Sequence, residues 1–293
     1  MTTRAREPLV AVIGGSGFYD LPGCTDLEEV AVTTPFGAPS DSVRLGRMAG
    51  RRVAFLARHG RDHTLLPHEV NAQANIYALK DLGATHIVSV SAVGSLRENI
   101  APGDVVLPHQ FIDRTVQRPR TFFGQGVVAH IAFADPICLR LSAHMETAAR
   151  AIPGQVHTGG TYVCIEGPQF STRAESELWR QWGATVVGMT NLPEARLARE
   201  AEICYATLAL PSDYDCWRTH NEQVTASEAF DTLKRTVDRA KAIVARVLSN
   251  VDAAASCACQ TALDAALVTP VAAMGAAQKQ RLAAILARRL VQA

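Results

Sequence analysis

No apolar run in the 293-residue chain approaches the ~20 residues that a membrane-spanning helix needs, and no block of like charge occurs. Lysine and arginine number 29 against 28 aspartates and glutamates, a net charge of +1, so nothing in the charge pattern suggests a nucleic-acid or membrane surface as partner. The N-terminal MTTRAREPLVAVIGG carries basic residues, but its apolar run ends in glycines too early for a secretory core with a cleavage site. A cytoplasmic protein is therefore expected. No internal repeat is found. The glycine-rich Gly14-Gly15-Ser16-Gly17 lacks a following Gly-Lys-Ser/Thr, which excludes a Walker nucleotide loop.

Cysteines number seven. Cys138, Cys164 and Cys204 lie in apolar segments and read as small buried hydrophobes. Cys257-Ala258-Cys259 sits in a small-residue, exposed segment and reads as incidental thiols, a redox pair or a fragment of a metal site. With no second cysteine pair and no His-x-His, no metal is expected. At 48% hydrophobic, a chain of this length buries roughly three quarters of its unfolded surface, so its core needs no staple.

Strand and helix signals alternate along the chain. Residues 8–13 form an apolar strand that runs into the glycine loop. Residues 43–48 and 53–57 predict a hairpin through Ala49-Gly50, and a helix over 68–82 stops before Gly83. Further strands are expected at 86–90, 161–165, 185–189 and 203–210, with helices at 136–149, 173–182, 193–201 and 226–248. Pro193 stands early in its helix, where a missing N–H costs nothing. The pattern is that of an α/β protein with a sheet covered on both faces. A small-residue linker (251–258) and an alanine-rich helix (275–293) make a C-terminal arm, 250–293, too short to hold its own core.

In such folds ligands gather beyond the strand ends, and several predicted strands end in polar or glycine-rich sequence. Gly14-Gly15-Ser16-Gly17 offers backbone N–H groups and the Ser16 hydroxyl to an anion, or is simply a turn. Arg58-His59 places a guanidinium suited to a two-point grip on phosphate, or to a surface salt bridge. Ser91-Ala92 and Thr190 add hydroxyls and amides after two more strands. Ser212-Asp213-Tyr214-Asp215 presents two carboxylates spaced i, i+2, fit to read an exocyclic amine and hold a proton for a ring nitrogen, or to form an Asx turn.

Taken in order, Gly14-Gly15-Ser16-Gly17, Arg58-His59-Gly60, Ser91-Ala92-Val93-Gly94-Ser95, Glu166-Gly167-Pro168-Gln169-Phe170 and Ser212-Asp213-Tyr214-Asp215-Cys216-Trp217 resemble the purine nucleoside phosphorylase superfamily. With Met189-Thr190 followed by Pro193-Glu194, they resemble more narrowly the methylthioadenosine phosphorylases. The resemblance covers residues 8–249 and implies one phosphorylase domain, 1–293, a three-layer α/β fold whose mixed central sheet is flanked by helices, with a C-terminal helical extension. It implies a phosphate-dependent glycosyltransferase that splits 5′-methylthioadenosine into adenine and 5-methylthioribose 1-phosphate, with inorganic phosphate as co-substrate and no cofactor. Ser16, Arg58, His59, Ser91, Ala92 and Thr190 are then expected on phosphate. Met189 is expected along the ribose, and Phe170 and Ser171 against the purine. Asp213 and Asp215 are expected on the adenine edge, and His130 is expected from a neighbouring subunit at the 5′ end, its alternative being a surface or core histidine.

The same resemblance implies a mechanism: phosphate beneath the anomeric carbon steadies an oxocarbenium-like sugar while Asp213 shares a proton with N7 of the leaving base. A related phosphorylase for methylthioinosine or another 6-oxopurine, a water-using nucleosidase and a non-catalytic nucleoside sensor are the rivals. The aspartate pair speaks for a 6-aminopurine, and the anion-binding set speaks for phosphate. Family members build trimers; some microbial ones carry a similar extension, form hexamers and have a Cys-x-Cys pair that can be redox-active.

Overall fold

The computed structural model describes residues 7–15, 18, 21–218 and 226–291, with no side chain described for residues 226–231 and 233–235. Strand β1 (Leu9–Gly14) is followed by β2 (Thr25–Val30), β3 (Val43–Met48), β4 (Arg51–Ala57), helix α1 (Ala72–Asp81) and the long β5 (Ala84–Ser95). Then come β6 (Val105–Leu107), β7 (Gln110–Arg114), α2 (Leu139–Arg150), β8 (Val156–Thr158), β9 (Thr161–Ile165) and α3 (Arg173–Gln181). The core ends with β10 (Val186–Gly188), α4 (Asn191–Glu200), β11 (Cys204–Asp213) and α5 (Ala226–Asn250), and the short α6 (Ala276–Arg281) and α7 (Ala287–Leu290) lie beyond it.

The sheet is mixed, as expected. β1 lies between β4 and β5 and is parallel to both, while β2, β3 and β4 run antiparallel in sequence. β5 also pairs in parallel with β11 and, at its far end, antiparallel with β10. The central strands read as continuous apolar runs because both faces are covered: every residue of β1 is buried. Helix α1 packs with α4 and α2 with α5, and these pairs cover the sheet in three layers.

Local chemistry sets the boundaries. The β3–β4 hairpin turns through Ala49 and Gly50, both at positive φ (49° and 78°), the conformation that suits the twist of a two-residue turn. Helix α1 starts at residue 72, not 68, because the Asn71 side chain accepts from Ala74 N and caps the helix there. Thr172 and Glu175 form a reciprocal capping box on α3. Four strands carried no sequence signal: β2 is an exposed TDLEEV, β6 and β8 have three residues each, and the QFIDR of β7 has no buried residue.

Two expectations need correcting. The alanine-rich tail is not one helix: α6 and α7 are separated by a turn in which Leu282, Ala284, Ile285 and Leu286 are all buried, a set too broad for one stripe of a helix. Arm residues join the same hydrophobic cluster as the sheet. The cysteines are not separate either, for Cys138 and Cys204 of the core meet Cys257 and Cys259 of the arm, with all four sulfurs within 4.8 Å of one another. Nor is the Cys257–Cys259 segment exposed as expected, since Cys259 is buried and Cys257 half-buried.

Candidate active site

Strand β5 changes partners along one edge. It pairs with β1 as far as Ser89 and with β10 only from Gly94, so the edge between them is open. A cavity of about 410 Å³ occupies the opening, lined by Val90, Ser91, Ala92, Val93 and Gly94, within the ~300–1,000 Å³ usual for small-molecule sites. The opposite edge of β5 is held by β11. There the register shifts between Pro211 and Asp213, which sets Asp213 opposite Gly94; such a bulge re-aims the side chain that follows it. At the rise of an extended strand, Ser91 and Gly94 stand about 10 Å apart. That spacing separates the two ends of the cavity.

Hydroxyls and amides gather at the first end. Ser91 Oγ lies 2.7 Å from Thr190 Oγ1 and 3.2 Å from the Tyr162 hydroxyl. Tyr162 is fully buried, which pushes its hydroxyl up to about 12 and keeps it a neutral donor. Val90 carbonyl accepts from Arg58 Nη1 and so points to the open edge; by the two-residue alternation of a strand, the Ala92 amide points there too. Gly15 also lines this wall.

Arg58 is placed otherwise than the sequence implied. It is 2% exposed and donates to Glu194 through Nε (2.9 Å) and Nη2 (3.2 Å), with Nη2 also near Ser89 Oγ and Ile13 carbonyl. Four of its five N–H groups are thus occupied, which leaves one Nη1 hydrogen for the cavity and no two-point grip. Glu194 in turn accepts from Ser89 Oγ (2.7 Å) and the Tyr205 hydroxyl (2.8 Å). The ion pair is neutral overall and buried, and each of its nitrogen and carboxylate oxygen atoms has at least one hydrogen-bond partner, the condition under which such a pair is tolerated.

His59 shows the same economy. Its Nδ1 lies 2.9 Å from Leu65 carbonyl, which only accepts, so Nδ1 carries the proton. Burial and the neighbouring Arg58 charge hold the ring pKa down to about 4. The imidazole is therefore neutral near pH 7, and Nε2 is left as an acceptor.

Carboxylates occupy the second end. Asp213 Oδ1 accepts from the Asp215 amide and Oδ2 from Ser212 Oγ, both at 2.7 Å. Burial raises the pKa of Asp213, and that of Asp215 to about 6, the latter also through the Asp213 charge. Asp215 Oδ2 and Ser171 Oγ are buried with no well-formed hydrogen bond, the Ser176 and Ser171 hydroxyls being close enough to the Asp215 carboxylate to lower its pKa in part. Gly94 admits the pair: a Cβ there would meet Asp213 Oδ1 at 3.0 Å and Asp215 Cβ at 3.2 Å. Phe170, 47% exposed, and Met189 also line the cavity. Arg118, which the sequence did not single out, holds the Met189 carbonyl at 2.6 Å and the Glu166 carbonyl at 2.5 Å, fixing both loops.

The cavity thus brings together Arg58, His59, Ser91, Ala92, Phe170, Ser171, Met189, Thr190, Asp213 and Asp215. Ser16 lies outside the described residues. His130 is exposed, outside this chain's own cavity, and its backbone amide donates to Ala266 carbonyl in the arm. Glu194, Ser89, Tyr162, Asn191 and Arg118 were missed. Only Pro193-Glu194 left a trace in the sequence, as part of a motif without an assigned role.

A family model described as the phosphorylase superfamily matches residues 9–249. The chain is 53% identical over 277 residues to the S-methyl-5'-thioadenosine phosphorylase of Geobacter sulfurreducens, covering 94% of this chain and 97% of that one. It is 54% identical over 284 residues to the protein of the same name from Gloeobacter violaceus, covering 95% of each. Among solved structures, a methylthioadenosine phosphorylase from an antarctic soil metagenomic library matches with a TM-score of 0.90 at 51% identity, over 94% of this chain and 98% of that one. Methylthioadenosine phosphorylase from Schistosoma mansoni in complex with adenine matches with a TM-score of 0.83 at 35% identity, over 89% and 99%.

Proposed function

Because this chain belongs to the methylthioadenosine phosphorylases of the phosphorylase superfamily, we propose that its cavity holds phosphate at the Ser91–Thr190 end and adenine at the Asp213–Asp215 end. Its reaction is the phosphorolysis of 5′-methylthioadenosine to adenine and 5-methylthioribose 1-phosphate, with inorganic phosphate as co-substrate. The label glycosyltransferase is corrected by the same matches, since the family and each of these relatives is a phosphorylase by name.

At the first end, phosphate accepts from Ser91 Oγ, Thr190 Oγ1, the Ala92 amide and the remaining Nη1 hydrogen of Arg58. His59 takes the opposite part: as a neutral ring with a free Nε2 lone pair, it accepts from the hydroxyl of a monohydrogen phosphate. Arg58 acts mainly as a buttress, since Glu194 offsets its charge and the anion is held by dipoles. Ser16 adds a hydroxyl from the glycine loop. Met189 flanks the ribose, an apolar neighbour that offers no nucleophile to compete with phosphate.

At the second end, Asp215 Oδ2 accepts from the 6-amino group, Ser171 Oγ bonds the purine and Phe170 packs against it. Asp213 shares its proton with N7 as the glycosidic bond lengthens, so the base departs neutral. The single observation behind this reading is a pair of buried carboxyls, both with pKa raised by burial, at the far end of the cavity from the hydroxyl cluster. A 6-oxopurine offers a carbonyl where these groups need a donor, which disfavours methylthioinosine. A side-by-side assay of methylthioadenosine, adenosine and methylthioinosine, with and without phosphate, tests both ends. Base release from methylthioadenosine only with phosphate supports the reading. Release without phosphate, or preference for methylthioinosine, overturns it.

The finer organisation is proposed with it. One domain spans the chain, supported by the shared core of sheet and arm. A homotrimer or homohexamer in which His130 serves a neighbouring cavity is supported by that residue's exposure, and sedimentation velocity tests the assembly. No described helix is long and apolar enough to cross a membrane, in keeping with the cytoplasmic location proposed and with small molecules, rather than nucleic acid or membrane, as partners.

A further inference from the structure

Away from the cavity, three separate segments bring four sulfurs together. Cys138 precedes the first turn of α2, and its amide donates to Tyr205 carbonyl at 2.9 Å, which ties it to β11. Cys204 opens β11. Cys257 and Cys259 come from the arm, where Cys257 leads into a short 3-10 turn over Ala258–Thr261 and its amide donates to Gln260 Oε1 at 3.2 Å. All four sulfurs are free thiols. Three of the residues are buried, and Cys257 is half-buried.

We propose that Cys138, Cys204, Cys257 and Cys259 form a structural zinc(II) site that pins the C-terminal arm to the core. Four thiolates at about 2.3 Å from zinc stand about 3.8 Å apart at the corners of a tetrahedron. Here every sulfur lies within 4.8 Å of the others, and Cys138 Sγ is 3.7 Å from Cys257 Sγ. One ion thus meets four soft ligands at the vertices of a small closed cage, with no position kept for substrate. That is the donor set of a structural site. Loading replaces four thiol protons by one Zn²⁺ and changes no oxidation state, leaving a cluster of charge −2.

Outer-shell groups fit such a charge. The Arg140 guanidinium lies beside Cys204 and Cys257. It is held by Asp252 carbonyl at 3.1 Å and by His86 Nε2 at 3.0 Å. A fixed cation against the thiolates is the second shell that orients and neutralises a metal cluster. None of the four cysteines lines the catalytic cavity, so the site is separable from the reaction.

Metal analysis of the full-length, untagged protein, purified with zinc in the growth medium and without chelator, tests the proposal. About one zinc per chain, released when a mercurial titrates the thiols, is expected. Cobalt(II) exchanged into the site gives the intense visible bands of a tetrahedral thiolate complex. Stripping zinc lowers Tm, and added zinc, but not magnesium, restores it. Cys257→Ser loses the metal and the Tm response yet still phosphorolyses methylthioadenosine. Four free thiols that take up neither zinc nor cobalt overturn the site, as do iron in place of zinc or a mass under non-reducing conditions showing two disulfides among these cysteines. If Cys257→Ser fails to fold, the zinc content and cobalt spectrum of the wild type still decide.

Discussion

The two ends of the cavity solve opposite problems with the same strand. At the Ser91 end, almost every buried polar group already has a partner: Arg58 and Glu194 neutralise each other, and Ser89, Tyr205 and Tyr162 complete the network. At the Asp213 end, Asp215 Oδ2 and Ser171 Oγ have no well-formed hydrogen bond, and the carboxyls sit at raised pKa. Satisfied networks are stable and rigid, whereas orphaned buried polar atoms are costly until something pairs with them. The first end is preformed. The second has polar groups still to be paired, so on the proposed placement of the base stability should be concentrated in one end and chemistry in the other.

Asp213→Ala strikes the chemical end. Loss of a positioned acid costs about 10²–10⁴-fold in rate, so kcat should fall by that order while phosphate affinity, read by isothermal titration calorimetry, stays near wild type. Equal loss of both would break the division. Glu194→Ala strikes the preformed end and should destabilise the fold by about 3–5 kcal/mol, because Arg58 is left as a buried uncompensated charge. Denaturant unfolding measures it, and Glu194→Gln should cost less.

Gly94→Ala sharpens the boundary. The added Cβ meets Asp213 Oδ1 at 3.0 Å, and overpacking of this kind costs about 1–3 kcal/mol. KM for the nucleoside should rise, with KM for phosphate little changed. Glu200 lies outside both ends and provides a control. Burial raises its pKa from 4.5 to about 7, so the folded state holds that proton more tightly than the unfolded chain does. Its contribution to stability is full below about pH 4.5 and is lost as pH rises towards 7. Glu200→Gln should flatten Tm against pH across that window and leave the kinetics alone.

The sheet's central strands, the hairpin and the helices from α2 to α5 were legible because apolar runs and glycine punctuation mark them. The exposed β2 and the three-residue β6 and β8 carry no such signal. At the site, Ser91, Thr190, Asp213 and Asp215 were legible from their motifs, although Ser91 lies inside β5, which runs on to Ser95 instead of ending at residue 90 as expected. Their supports were not. Glu194 lies 136 residues from Arg58, and Tyr162 lies 71 from Ser91, so only folding makes them neighbours. The buried ion pair of Arg58 was hidden for that reason, because the carboxylate it holds cannot be read from Arg58-His59. Cys138 and Cys204 repeat the lesson, each ordinary alone and part of a four-sulfur cluster only once the arm folds back.

The claim on which all this turns is that the anion and the base lie at opposite ends of β5's open edge. A crystal structure of the protein with 5′-methylthioadenosine and sulfate measures it directly. Sulfate is expected within hydrogen-bonding distance of Ser91 Oγ and Thr190 Oγ1, with adenine N7 and its 6-amino group against Asp213 and Asp215. An anion bound elsewhere, or a base turned away from both carboxylates, would contradict it.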